Sequence, residues 1–310
     1  MENQKTSRSW KWANLIVSAL FALLIWLPLC DSIFGLDPTP EHQGARKSPQ
    51  PELHLTRTSI NQFPEKFESF YNTQFGFRNT LITLQNLLKV YVLHAYISGD
   101  VVIGKDGWLF LDQNQSLEGY RGTLPLFTTA ELDRWHRLFQ SRHDRLAEQG
   151  IRFLVVFAPN KNTIYPEYMP DGLNRIDGQR RLDQMVAYLE EHAEYDFIDL
   201  RQPLIAGKDI EPTFYKTDTH WNQFGSFIAY KEIMEKVKPW FPAISPFCLE
   251  DLRRQIKPSF NTGLPRMLGL EGALSEDAVL YNPLKVRSTS TENSEIISSF
   301  DYGVCPAPRT

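Results

Sequence analysis

The run Ile151-Arg152-Phe153-Leu154-Val155-Val156-Phe157-Ala158 is apolar at every position but Arg152. A near-continuous apolar run of this length reads as a strand covered on both faces, as in a parallel sheet. The residues on either side agree. Upstream, Thr128 and Glu131 form a capping box that opens a helix, with Leu132, Trp135, Leu138, Phe139 and Leu146 as its buried stripe. Gly150 closes that helix. Downstream, a helix from about Gly178 to His192 carries Leu182, Met185, Val186 and Leu189 on one side, and Phe197 to Leu200 reads as the next strand. Alternating strands and helices predict an α/β fold with a mainly parallel sheet between helical layers, a three-layer α/β/α sandwich. Ligands bind such sheets at the carboxyl ends of the strands. The loop Pro159-Asn160-Lys161-Asn162 leaves the first strand at that end, so Asn160 and Lys161 are candidate ligand-facing residues. They read equally well as plain loop residues.

A second loop falls at the same end. Phe214-Tyr215 reads as the end of a short strand, and Phe224, Phe227, Ile228, Met234 and Val237 recur at helical spacing. Between them stands Lys216-Thr217-Asp218-Thr219-His220-Trp221-Asn222. Residues two apart in an extended stretch point the same way, so the Asp218 carboxylate reaches one ring nitrogen of His220. That contact fixes the tautomer and stabilises the imidazolium when the other nitrogen takes a proton. Asp218 and His220 are therefore candidates for the orienter and base of a catalytic triad. The alternative is structural: Asp before a helix is often a cap, and a lone His near a helix start often packs. Asn222 serves as a cap equally well, which frees Asp218. Two ligands do not complete a metal site, and no metal and no cofactor is expected.

The 310 residues are 42% hydrophobic and 23% charged, enough for one large domain or two small ones. A net charge of −4, with no basic stripe, argues against nucleic acid as a partner. Lys5, Arg8 and Lys11 precede an apolar run from Ala13 to Leu29, and Asp31 and Asp37 follow it. A bilayer is spanned by about 17–25 such residues. The flanking charges predict a cytoplasmic tail over residues 1–12, a transmembrane signal-anchor over 13–30, a linker over 31–58 and the main domain over 59–310, outside the cytoplasmic membrane. Cys248 and Cys305 would then both face an oxidising space, which permits a disulfide between them.

Elsewhere the pattern predicts two amphipathic helices, near Phe63–Gln74 and Phe77–Ala95, the second presenting Leu81, Leu84, Leu87, Leu88 and Tyr91 for packing. Val101-Val102-Ile103-Gly104-Lys105-Asp106-Gly107-Trp108-Leu109-Phe110-Leu111 predicts a β-hairpin about its Asp-Gly turn. Its Trp108 reads as architectural or as the wall of a sugar site. Beyond Pro242 the periodic signal fades, with a loop and helical turn predicted over Phe260–Leu270.

Four blocks resemble the alginate O-acetyltransferase AlgJ/AlgX-like family, which carries an SGNH-hydrolase-like domain. They are Phe75-Gly76-Phe77-Arg78; the hairpin Val101–Phe110; Pro159-Asn160-Lys161 with Tyr165-Pro166-Glu167; and Asp218-Thr219-His220-Trp221-Asn222. A weaker fifth block is Thr262–Leu270, where Thr262-Gly263 stands in place of an expected Gly-Asp. The resemblance implies a permuted SGNH fold on a single-pass protein of the bacterial inner membrane, with its main domain periplasmic. It implies acetyl transfer to an exopolysaccharide, with a polysaccharide acceptor and a membrane-bound acyl-donor transferase subunit as partners. Asp218 would orient, His220 would act as base, and Trp221 and Asn222 join Asn160 and Lys161 as candidate substrate contacts. The family's serine follows an apolar strand ending in Asp-Ser-Phe. The nearest string here, Ser298-Ser299-Phe300, follows a polar segment instead. The expectation is a chain that stops short of the nucleophile strand or a degenerate relative. An SGNH-type carbohydrate esterase and a catalytically dead polysaccharide-binding or assembly subunit are the alternative functions.

Overall fold

A computed structural model describes residues 2–37, 48–93, 97–260 and 262–284. Cys305, Ser298 and Ser299 lie outside them. The chain divides into two compact units, residues 1–94 with 266–270, and the rest.

The first unit holds three helices: α1 (Glu2–Phe34), α2 (Arg57–Gln74) and α3 (Arg78–Tyr91). Within α1, the stretch Trp12–Phe34 is long and apolar enough to cross a membrane, and none of it is buried. Its carboxyl end is tied to the corner between α2 and α3. The Asp31 carboxylate accepts the Phe77 N–H at 2.8 Å, and Thr80 Oγ1 donates to Asp37 at 2.6 Å. Gly76 meets the same corner so closely that a Cβ there would sit 2.0 Å from the Pro28 carbonyl oxygen. The predicted stripe on α3 is corrected by the structure: Leu81, Leu84, Leu88 and Tyr91 are exposed, and the buried residue is Asn86, whose amide donates to the Leu268 carbonyl at 2.6 Å. Amphipathic spacing forecast the helix correctly but not which face would be covered.

The second unit opens with an antiparallel sheet of β1 (Ile97–Ser98), β2 (Val101–Ile103) and β3 (Leu109–Leu111). The hairpin is as predicted. Asp106 and Gly107 both take positive φ, 52° and 77°, which is the conformation the Asp-Gly pair supplies. A short helix α4 (Ser116–Arg121) leads to α5 (Thr129–Ala147), whose start carries the predicted Thr128–Glu131 capping box. Then follow β4 (Leu154–Phe157), α6 (Lys161–Ile164), α7 (Arg181–His192), β5 (Asp196–Asp199), α8 (Arg201–Gly207) and α9 (Gln223–Val237).

β4 and β5 pair in parallel, from Leu154 against Asp196 to Phe157 against Asp199. Their side chains alternate between two cores. Val155 joins Leu132, Met185, Leu189 and Tyr195 beneath α5 and α7. Leu154 and Val156 pack on the other face against the cluster of Ile164, Ile198, Leu200, Leu204, Phe214 and Ala229. Both faces of the parallel pair are thus covered, which is why Ile151–Ala158 lacks polar alternation.

The chain closes, among the described residues, with β6 (Leu252–Phe260), α10 (Gly263–Met267) and β7 (Glu276–Pro283). β6 and β7 form an antiparallel pair with an irregularity between Lys257 and Phe260. Sequence reading did not find this pair. β6 is exposed along nearly its whole length, so Arg253, Arg254, Gln255 and Lys257 bury no alternate face, and Pro258 stands inside it.

Candidate active site

The loop from Lys216 to His220 is closed at its base by an antiparallel bridge between Phe214 and Trp221. The Tyr215 N–H donates to the His220 carbonyl at 3.3 Å. Phe214 is buried and Trp221 packs beside it, so the loop stands on the core of the second unit. Asn222 begins α9 as its cap: its Oδ1 accepts the Gly225 N–H at 2.9 Å and its Nδ2 donates to the Pro212 carbonyl at 2.6 Å. At 7% exposure, with both ends of its amide engaged, Asn222 holds the helix start. That cap leaves Asp218 free for other work.

Asp218 Oδ1 lies 2.6 Å from His220 Nδ1 and accepts the His220 backbone N–H at 2.9 Å. Its other oxygen accepts the Gly263 N–H at 2.9 Å. A Cβ on Gly263 would stand 3.3 Å from that oxygen, so the residue without a side chain permits the approach. Burial pushes the Asp218 carboxyl up, but the Gly263 and His220 N–H groups and the His220 ring outweigh it, and the carboxyl titrates below its ordinary value. The Asp218 side chain is 17% exposed and that of His220 is 79% exposed. Among the described residues the His220 ring is hydrogen-bonded by Asp218 alone, and its far edge is open to solvent.

Three residues grip the loop from behind. Lys161, at the start of α6, is 3% exposed. Its ammonium donates to the carbonyls of Leu109 at 2.5 Å, Lys216 at 2.8 Å and Asp218 at 2.9 Å. It sits 4.9 Å from the ring centroids of both Trp108 and Phe110. Burial drives its ammonium down to about 7, while the Glu276 and Asp218 carboxylates pull it back up. Glu276, the first residue of β7, accepts the N–H groups of Lys216 at 2.8 Å and Thr217 at 2.7 Å, and the Thr217 hydroxyl at 2.6 Å. Thr262 Oγ1 donates to the Thr217 carbonyl at 2.6 Å.

Lys161 was expected on the ligand-facing loop beside Asn160, and the structure separates the two. Asn160 is exposed and borders a polar cleft of about 140 Å³ with Ser116, Asn162 and Thr219 of the Asp-X-His loop. The lysine stem joins that wall, but its charge is spent beneath the loop. Trp108 is architectural: it is buried and stacks at 4.4 Å on Tyr165 and 4.5 Å on Tyr168. Glu276 and Thr262 escaped sequence reading because each works on backbone groups far along the chain, which leave no spacing to read. Among the described residues no cluster of three His, Cys, Asp or Glu is placed to hold a metal.

The family model for the SGNH hydrolase-like domain, acetyltransferase AlgX, matches residues 101–291. The chain belongs to this AlgJ/AlgX-like family. Its α/β fold is the SGNH-like one. It is 29% identical to the probable alginate O-acetylase AlgJ of Pseudomonas aeruginosa over 164 residues, covering 52% of this chain and 38% of the relative. It is 28% identical to the AlgJ of Pseudomonas syringae pv. tomato over 169 residues, covering 54% and 40%. The chain thus spans about two fifths of the length of these curated relatives. Among solved structures it is similar to the O-acetyltransferase domain of Pseudomonas putida AlgJ, with a TM-score of 0.41 and 21% identity over 59% of this chain and 66% of that one. It is also similar to Pseudomonas aeruginosa AlgX, with a TM-score of 0.40 and 22% identity over 59% and 42%.

Proposed function

We propose that this AlgJ/AlgX-like chain takes part in O-acetylation of an exopolysaccharide by acyl transfer. The observation that carries the reading is the 2.6 Å contact of Asp218 with His220 Nδ1, beside an open Nε2 edge. Membership of the family and its relatives' naming as alginate O-acetylases support it.

Asp218 holds the proton on Nδ1, so the lone pair of Nε2 points outward. Nε2 then takes the proton of a hydroxyl as that oxygen attacks the acetyl carbonyl. A new C–O bond forms, and the carbonyl pair moves to oxygen. When the tetrahedral species collapses, the bond to the leaving group breaks and Nε2 returns the proton to it. In the serine form of this cycle the first hydroxyl belongs to a nucleophile that becomes acetylated, and a sugar hydroxyl takes its place in the second half. The chain contributes the orienter and the base. Asn160, across the cleft from Thr219, and Trp221, at the end of the loop, are substrate contacts in this reading.

The same reading puts residues 1–12 in the cytoplasm, 13–30 in the inner membrane, 31–58 in a tether and 59–310 in the periplasm as a three-layer α/β/α domain with a mainly parallel sheet. A membrane-bound transferase subunit supplies the acyl donor, and a polysaccharide accepts it. The test is acetyl transfer by the full protein with His220→Ala. Loss of transfer is expected, and wild-type transfer in that variant removes the role.

One observation favours a second reading. His220 is open enough for water to reach Nε2, which suits an esterase on the same scaffold. Acetate release at one rate with and without a sugar acceptor selects the esterase.

A further inference from the structure

We propose that Lys161 is a positioning residue for the Asp218–His220 pair, its ammonium fixing the loop through three main-chain carbonyls while Glu276 fixes the same loop through its amides. The inference rests on the reading of Asp218 and His220 as a working pair, and its test needs no acyl donor.

A lysine ammonium has three N–H donors and no acceptor. All three are used here, on Leu109, Lys216 and Asp218. Two of those carbonyls belong to the loop and the third to β3, so one cation binds the loop to the hairpin. The Leu109 N–H adds a second tie, donating to the Lys216 carbonyl at 3.0 Å. Glu276 accepts from the N–H groups of Lys216 and Thr217 on the same loop. The Lys216–Thr217 peptide is therefore held at both ends, its carbonyl by the buried cation and its N–H by the carboxylate. Rotation of that peptide loses a charge-assisted hydrogen bond at each of its ends.

The grip ends at Asp218. Lys161 holds its carbonyl, and Gly263 holds the far oxygen of its carboxylate. The near oxygen then has one direction left, toward His220 Nδ1 and the His220 amide. A lysine retained only for stability would be a poor choice at this place. A buried ammonium carries a desolvation cost that an apolar side chain of equal volume avoids. Trp108 and Phe110 already line the site with rings that would pack such a side chain. The groups that face the ammonium from neighbouring elements are those two rings and the carboxylates of Asp218 and Glu276.

The experiment follows the titration of His220 in the full chain by its rate of carbethoxylation with diethyl pyrocarbonate across pH, read residue by residue by mass spectrometry. Four proteins are compared: wild type, Asp218→Asn, Lys161→Met and Lys161→Gln. His143 on α5 is the internal reference. The expected result is that the Lys161→Met midpoint moves at least half of the way from the wild-type value to the Asp218→Asn value, with His143 unchanged. Lys161→Gln keeps two donors and is expected to move part of that way. It is the variant to read should Lys161→Met fail to fold. A folded Lys161→Met protein whose His220 titrates with wild type overturns the proposal, as does failure of both lysine variants to fold, which marks a purely structural residue. An Asp218→Asn profile that overlays wild type removes the pair itself, and both readings fall together.

Discussion

Asp218 is the residue on which proton traffic and stability meet. Its carboxyl titrates below the ordinary value because three N–H groups face it, despite the opposing effect of burial. A carboxyl depressed in the native state stabilises the fold above its unfolded value, near pH 4, and that contribution fades as pH falls through the lower native value. The urea midpoints of wild type and Asp218→Asn are therefore expected to differ at pH 7 and to converge as pH drops below about 4. A gap that stays constant with pH would contradict the hydrogen-bonded carboxylate. On transfer activity, Asp218→Asn is expected to cost roughly 10³–10⁴-fold in kcat, the scale seen when an orienting carboxylate is lost with its base still present. The residue pair itself was legible in the sequence, since two positions on an extended stretch share a side. Its supports were not. Lys161 read as a loop residue because short-range pattern shows where a side chain starts and not which carbonyls it reaches, 52 to 57 residues away.

Elements with strong local signals appeared where the sequence put them. The capping box at Thr128 and the Asp-Gly turn at Asp106 depend on neighbours a few residues apart, so the sequence states them outright. Thr128→Ala is expected to lower stability by about 1 kcal/mol, measured by denaturant unfolding. β6 was invisible for the opposite reason: an exposed strand next to a single partner needs no alternation, and its pairing with β7 is set by the backbone. The start of α9 offers a sharper test. A Cβ on Gly225 would stand 2.0 Å from the Thr213 carbonyl oxygen, and main chain cannot step aside as a flexible side chain does. Gly225→Ala is expected to destabilise by at least about 1–3 kcal/mol and to weaken transfer, because this helix start and the Asp-X-His loop share Asn222 as their hinge. Unchanged unfolding in that variant would mean that α9 begins elsewhere.

At the scale of the molecule, α1 offers Trp12–Phe34, 23 residues long and apolar enough to cross a membrane. The full protein is expected to stay with membranes through an alkaline carbonate wash, and a variant lacking residues 1–34 is expected to leave them. Release of the full protein would argue against a spanning helix. The division into two units has a further bearing, on what happens when the chain is cut. The first unit borrows residues 266–270 from late in the sequence, where Thr83 Oγ1 donates to the Gly269 carbonyl at 2.8 Å and Asn86 to that of Leu268. A protease that nicks the chain between residues 93 and 97 does not set the helices adrift, because residues 266–270 still bind them. The two fragments should co-purify in native buffer and part only in denaturant. Helices made without that strap would lose the bond from the Asn86 amide to the Leu268 carbonyl, and they should recover it when the missing fragment is supplied in trans.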